Sequence, residues 1–92
     1  MENCSKKGCI MISNKDIAEQ YNIFSNNVRY YRKKCYMTQE ELAEKCDLSI
    51  SYIKQIESGK EYKNVSLTVL LKISKALNVN VEKLFCFNES KN

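Results

Sequence analysis

The sequence contains no proline, no histidine and no tryptophan, and its only glycines are Gly8 and Gly59. With so few residues that interrupt regular structure, apolar side chains recur at intervals of three and four positions along most of the chain. That spacing is typical of amphipathic helices, so the sequence predicts an all-α fold. The 92 residues suffice for one compact domain and are too few for two.

The sequence lacks residues on which several classes of function depend. Without histidine the commonest general base is missing, and two isolated glycines cannot form a phosphate-cradling loop. The sequence therefore predicts no enzymatic activity, no cofactor and no metal. No apolar run approaches the roughly 20 residues of a membrane span, and "CIMI" (9–12) is too short for the apolar part of a signal peptide. We expect a cytoplasmic protein that does not contact membranes.

The sequence contains five cysteines, an odd number that does not suit a framework of paired disulfides. Cys35 and Cys46 fall within helical patterns, where buried or incidental thiols are the favoured interpretation. Cys4 and Cys9 lie too far apart for a CxxC metal knuckle, and there is no histidine to complete a site. A redox or metal sensor that uses Cys4 and Cys9 remains an alternative.

The net charge is +4, and the excess of positive charge lies in "RYYRKK", residues 29–34, and in scattered lysines beyond it. Basic residues interleaved with aromatic ones are found in proteins that bind polyanions, and they are also found on solvated helix faces. The cluster alone does not separate these two interpretations.

Polar residues divide the first part of the chain into predicted helices. Asn14 is placed to cap a short helix that ends near Asn22, and Ser25 is placed to cap the helix "NNVRYYRKKC". Thr38 and Glu41 have the spacing of a capping box at the start of "QEELAEKC".

Three further helices are predicted after Asp47. Ser49 caps a helix that runs to about Glu57 and stops at Gly59, and Asn80 caps a short last helix. Ser66 caps the helix between these two. Its predicted core-facing residues are Leu67, Leu70, Leu71, Ile73, Ala76 and Leu77.

Residues 39–58 meet the requirements of a helix-turn-helix, in which the second helix crosses closely over the first. The crossing needs a small residue in the first helix, and Ala43 provides it. The turn needs a residue that tolerates positive φ, and Asp47 does so more readily than most. The angle between the helices must be filled by apolar side chains, here Leu42, Cys46, Leu48, Ile53 and Ile56.

The outer face of the second helix carries side chains suited to nucleobases. At about 100° per residue, an exposed arc lies opposite the buried Ile53 and Ile56. Glutamine can form two hydrogen bonds with an adenine edge, and an apolar group can contact a thymine methyl. This arc therefore predicts a helix in a DNA major groove, with a stray surface isoleucine at Ile50 as the plainer alternative. Its members are Ile50, Ser51, Lys54, Gln55 and Ser58.

The stretches "TQEELAEKCDLSISYIKQIESGK" and "SLTVLLKISKALNVNVEKLF" closely resemble the Xre-type helix-turn-helix domain of Cro and phage-repressor proteins. The resemblance implies a five-helix, lambda-repressor-like bundle over residues 24–87, preceded by an N-terminal extension (1–23), possibly with one extra helix, and followed by a tail (88–92). It also implies a transcriptional regulator that binds an operator in double-stranded DNA as a homodimer without a small-molecule ligand. Phage-type repressors and restriction–modification controllers both fit this description.

The resemblance also implies the role of particular residues. The base-contacting positions match Ser49, Ile50, Ser51 and Gln55. The phosphate contacts are expected at Gln39, Tyr52, Lys54, Ser58, Lys60, Lys63 and Asn64. Arg32 and Glu57 match an ion pair that links the first and third family helices.

The C-terminal region is apolar beyond the needs of a monomer. Leu84, Phe85 and Phe87 are predicted to form a homodimer interface, because this part of the family domain pairs two subunits. An alternative is a protein-interaction module of antitoxin or anti-repressor type, in which the helix-turn-helix serves only as a scaffold.

Overall fold

The computed structural model of the protein describes residues 11–60 and 65–87, which form four α-helices and a 3₁₀ helix. The α-helices are α1 (Asn14–Lys34), α2 (Gln39–Cys46), α3 (Ile50–Ser58) and α4 (Leu67–Leu77), and the 3₁₀ helix spans Val81–Phe85. The predicted all-α bundle is confirmed, with the 3₁₀ helix as its last helical element. No helix within the described ranges is both long enough and apolar enough to cross a membrane.

The helix α1 is continuous over 21 residues, so the predicted break near Asn22 and the new start at Ser25 are wrong. The helix begins one residue after Ser13, whose hydroxyl oxygen accepts a hydrogen bond from the Asp16 backbone N–H at 3.2 Å. Ser25 is buried inside the helix rather than capping one. The helix continues because Phe24 packs in the core and stacks on Phe85, with ring centroids 5.4 Å apart.

The predicted caps of α2, α3 and α4 are confirmed, whereas Asn80 precedes the 3₁₀ helix without forming a side-chain cap hydrogen bond, so that predicted cap is wrong. Thr38 Oγ1 accepts from the Glu41 backbone N–H at 3.0 Å, and Glu41 Oε1 accepts from the Thr38 N–H at 2.8 Å. Asp47 ends α2 in the left-handed region, with φ of 58°. The hydroxyl oxygens of Ser49 and Ser66 cap α3 and α4 in the same way as Thr38. Each of these features depends on residues within one turn of the chain.

The core lies where all four α-helices and the 3₁₀ helix meet. Two leucines that the pattern assigned to it, Leu67 and Leu71, are 66% and 43% exposed, so that prediction is wrong. The helix α4 faces the interior through Ile73 and Leu77, and Leu71 lies about 160° around the helix from Ile73. The buried apolar side chains are Phe24, Val28, Leu42, Ala43, Cys46, Ile53, Ile56, Ile73, Leu77 and Leu84.

Leu84 is fully buried, and its predicted place in a dimer interface is therefore wrong. The 3₁₀ helix turns this side chain inward and is fastened to α1 by Asn27. Asn27 Nδ2 donates to the backbone carbonyls of Leu84 at 3.0 Å and of Cys86 at 2.8 Å. Phe85 and Phe87, in contrast, are 36% and 72% exposed.

Candidate nucleic-acid interface

The helices α2 and α3 form a closely packed helix-turn-helix. Ala43 is buried in the middle of α2, and its carbonyl accepts from the Leu48 backbone N–H at 2.9 Å across the turn. Ile53 and Ile56 fill the angle between the helices, while Leu48 is half-buried at its edge. The small residue and the left-handed turn at Asp47 thus have the structural roles that the sequence predicts for them.

The buried Cys46 contributes packing rather than reactivity. Burial raises the pKa of the Cys46 thiol, although Lys72 and Lys45 act in the opposite direction. A thiol with a raised pKa stays protonated near neutral pH and is a poor nucleophile and metal ligand. Cys4 and Cys9, which the sensor hypothesis requires, lie outside the described residues.

The outer face of α3 presents mostly small polar side chains to solvent. Ile50 is half-buried rather than exposed, because one side of it packs against the core at the start of α3. Tyr52 is half-buried as well, so it adjoins the exposed face rather than standing on it. The exposed predicted contacts around this helix are Ser49, Ser51, Lys54, Gln55 and Ser58.

The buried Arg32 and Glu57, together with the half-buried Gln39, form a cluster that joins α1, α2 and α3 and is called here the Glu57 cluster. Arg32 Nε donates to Glu57 Oε2 at 2.7 Å, and Arg32 Nη2 donates to Oε1 at 3.0 Å, so the predicted ion pair is bidentate. Gln39 Nε2 donates to the same Oε1 at 3.0 Å. Only 3% of Glu57 is exposed. The cluster fixes the end of α3 relative to the start of α2.

Gln39 was expected to hold a phosphate, and in this structure one of its amide hydrogens is used by Glu57. The residue is half-buried at the first position of α2, where backbone N–H groups have no partner within the helix. Glu57 orients the Gln39 side chain, and this arrangement limits the rotamers that the amide can adopt before any ligand arrives.

Arg29 is a residue of this region that the sequence interpretation missed. Its Nη1 donates to the Glu57 backbone carbonyl and its Nη2 to Asn26 Oδ1. A guanidinium at the C-terminal end of α3 satisfies a free carbonyl and complements the helix dipole. The sequence shows only that Arg29 precedes Arg32 by three residues and so lies on the same side of α1; it does not mark the backbone carbonyl that Arg29 contacts.

The helix α3 ends at Gly59, whose φ of 66° is costly for residues with a side chain. A Cβ atom built there lies 2.9 Å from Asn22 Oδ1 on α1. Lys60 follows, exposed, at the start of the connection to α4. Lys63 and Asn64, two further predicted phosphate contacts, lie outside the described residues.

Replacing Gly59 with alanine should lower the free energy of unfolding by about 1–2 kcal/mol, because alanine pays the cost of the left-handed region. Gly59→Asn is the matched control, since it adds the same Cβ but tolerates positive φ better. Urea denaturation followed by circular dichroism should rank the proteins wild type, Gly59→Asn and Gly59→Ala. Equal losses for the two variants would show that contact with Asn22, and not the backbone, sets the cost.

The sequence profile of the helix-turn-helix family matches residues 28–84 of this chain, a span that includes α2, α3 and α4. The chain belongs to the helix-turn-helix family. The predicted resemblance to Xre-type regulators is thereby confirmed.

Among members of the helix-turn-helix family, the chain is 47% identical over 66 residues to control protein C.BamHI of Bacillus amyloliquefaciens, covering 71% of this chain and 79% of that protein. It is 40% identical over 70 residues to control protein C.SmaI of Serratia marcescens, covering 76% and 81% of the two chains. The crystal structure of the restriction–modification controller protein C.AhdI from Aeromonas hydrophila is similar to it with a TM-score of 0.67 at 33% identity. That match covers 73% of this chain and 98% of C.AhdI.

Proposed function

We propose that this helix-turn-helix protein is a sequence-specific transcriptional regulator that binds double-stranded DNA with α3 in the major groove. The outer face of α3 carries the proposal, because Ser51 and Gln55 are exposed about one turn apart on this nine-residue helix and Ser49 is exposed at its N-cap. Serine and glutamine supply the donors and acceptors that read base edges. The accessible part of Ile50 suits a thymine methyl.

The phosphate contacts are proposed around this face. Lys54 and Lys60 are exposed on either side of the end of α3. The Glu57 cluster holds Gln39 at the start of α2, where backbone N–H groups and the amide can bind a phosphate oxygen. Phosphate contacts orient a protein on the duplex, whereas base contacts select the sequence. Tyr52, Ser58, Lys63 and Asn64 complete the proposed set.

We further propose that the regulator is a homodimer of the controller kind and works in the cytoplasm. The controller proteins C.BamHI, C.SmaI and C.AhdI are the relatives that support this choice over a phage-type repressor. A two-fold dimer places two copies of α3 about one helical turn of DNA apart, roughly 34 Å. The operator should accordingly contain two half-sites with that spacing.

Exposed apolar side chains suggest the surface through which the two copies pair. Phe87 is 72% exposed and follows the 3₁₀ helix, and Leu67 on the adjoining α4 is 66% exposed. Monomeric proteins rarely expose large apolar patches that serve no purpose. With Leu84 assigned to the core, the proposed interface contains Phe85 and Phe87 and gains Leu67 and Leu71.

Replacing Gln55 with alanine should reduce the discrimination between the operator and a single-base variant by about 1–3 kcal/mol, because one bidentate base contact is lost. Fluorescence anisotropy with a labelled duplex from upstream of the protein's own gene, and with its single-base variants, measures this ratio. Gln55 is exposed, so the substitution leaves the core intact. Binding of the wild-type protein to that duplex, above its binding to a scrambled one, is the primary test.

Lys60→Ala is the matched control, since a lost phosphate contact weakens binding to operator and scrambled DNA alike. If Gln55→Ala behaved like Lys60→Ala, with equal losses on both duplexes, Gln55 would not read a base. If the wild-type protein bound neither duplex at low salt, the regulator function itself would be wrong.

A further inference from the structure

The first half of α1 precedes the helix-turn-helix match, which begins at residue 28, yet it is fastened to the rest of the molecule. Gln20 Nε2 donates to the Phe85 carbonyl at 3.2 Å, and the Val65 backbone N–H donates to the Tyr21 hydroxyl at 3.2 Å. Tyr21 also meets the Phe24 ring edge-on, with centroids 6.1 Å apart. These contacts fasten this half of α1 to the 3₁₀ helix and to the segment that precedes α4.

The other side of this first half of α1 borders a cleft of about 560 Å³ that reaches the end of α3. Asn22 and Ser25 approach Gly59 so closely that a Cβ on the glycine would lie 2.9 Å from Asn22 Oδ1 and 3.7 Å from Ser25 Cβ. The same cleft is lined by Lys15 on α1 and by Lys60 just beyond α3. Two lysines from distant parts of the sequence thus share one opening.

Among the described residues that line this opening, the charge is positive. Glu19 lines it as well, so the ionised side chains within the described ranges are two cations and one anion. All three are exposed, and among the described residues neither lysine forms an ion pair with Glu19. Lys15 and Lys60 are therefore available for an external anion.

We infer that the first half of α1 is a second contact with the DNA backbone, in which Lys15 binds a phosphate next to the one bound by Lys60. The inference rests on the proposed function, which places the end of α3 and Lys60 beside the duplex. Because Lys60 lines the cleft, a duplex that contacts Lys60 also lies beside the cleft. The contact lengthens the footprint without adding base recognition, since lysine ammonium groups on phosphates carry no sequence information.

The salt dependence of binding tests this contact directly. Each phosphate neutralised by a cation contributes about 0.9 to the slope of log K against log salt concentration. Lys15→Gln should therefore lower the magnitude of that slope by about 0.9 and weaken binding to operator and scrambled duplexes equally. Fluorescence anisotropy at four or five salt concentrations gives the slope for each duplex.

Two variants of the full chain make the comparison specific. Lys75→Gln removes an exposed lysine of α4 that does not line the cleft, and it should leave the slope close to the wild-type value. Glu19→Gln removes the carboxylate that faces the same opening, and it should strengthen binding to both duplexes. Circular dichroism of each variant verifies that α1 remains helical.

If wild-type protein bound DNA with a steep salt slope and Lys15→Gln matched Lys75→Gln, the second contact would be overturned while the regulator function stood. If Lys15→Gln weakened only the operator complex, Lys15 would act on sequence readout, and the backbone contact would also be overturned. A loss of slope confined to Lys15→Gln and Lys60→Gln, and roughly doubled in the double variant, supports the inference.

Discussion

Replacing Arg32 with alanine should lower the free energy of unfolding by about 3–5 kcal/mol, because it leaves the Glu57 carboxylate buried without its cation. Glu57 is 3% exposed, and its carboxylate would retain only the hydrogen bond from Gln39. The Met37 carbonyl, which accepts from Arg32 Nη1 at 2.7 Å, would lose its partner as well. Urea denaturation followed by circular dichroism measures the loss.

A neighbouring cation provides the control for this prediction. Lys33→Ala removes an exposed charge from the same turn of α1 and should change stability by less than about 0.5 kcal/mol. Since small domains have only about 5–15 kcal/mol of stability, Arg32→Ala risks unfolding at room temperature. Gln39→Ala is the milder second variant, expected to cost about 1 kcal/mol. Losses below 1 kcal/mol for Arg32→Ala would show that the pair is not a main stabilising contact.

The double variant Arg32→Met with Glu57→Leu separates stability from function. Replacing both members of a buried ion pair with apolar residues is often nearly neutral for folding. Such a protein would be folded but would have lost the hydrogen bond that orients Gln39. If Gln39 makes the proposed phosphate contact, this variant should bind DNA more weakly than wild type on every sequence, because the Glu57 cluster no longer orients the amide.

The parts of this fold that the sequence predicts correctly depend on local chemistry. The capping box of Thr38 and Glu41 needs only residues three positions apart, and the turn at Asp47 needs only a tolerance for positive φ. The helix-turn-helix core follows from the apolar spacing together with the small Ala43. In each case the deciding contacts lie within about 20 residues of one another.

The incorrect predictions concern contacts between distant segments. Asn22 and Ser25 resemble a break and a cap, but Phe24 between them stacks on Phe85, 61 positions away, and keeps α1 helical. Leu67 and Leu71 have the spacing of core residues, and only the packing of α4 against α2 and the 3₁₀ helix shows that they face solvent. Helical periodicity identifies an apolar stripe but does not say which part of it the neighbours cover.

In the candidate site too, the sequence pattern predicts features that depend on local contacts better than features that depend on contacts between distant segments. The residues exposed on α3 follow from the positions of Ile53 and Ile56 on one helix, and the structure alters only Ile50, which packs partly inward. Arg29 was missed because its partner is a backbone carbonyl of α3, 28 residues away, and no sequence pattern marks a carbonyl acceptor. The cleft that brings Lys15 to Lys60 likewise exists only once α1 has packed beside Gly59.

Leu84 and Phe87 lie three residues apart, and their substitutions should have opposite consequences. Leu84→Ala empties a fully buried position and should lower the free energy of unfolding by about 2–5 kcal/mol, through lost burial and the cavity left behind. Phe87→Ser changes a side chain that is 72% exposed, so the stability of the monomer should stay within about 0.5 kcal/mol of wild type. Denaturation at low protein concentration avoids the contribution of dimerisation to apparent stability.

Sedimentation equilibrium supplies the second measurement. If Phe87 anchors the pairing of two copies, Phe87→Ser should weaken the dimer about tenfold or more, because exposed aromatic residues are frequent hot spots of interfaces. Tyr36→Ser is the matched control, since Tyr36 is 94% exposed and lies after α1, outside the proposed interface. A dimer unaffected by Phe87→Ser would remove Phe87 from the interface. A dimer weakened equally by Tyr36→Ser would mean that exposed aromatics promote association without forming a defined surface.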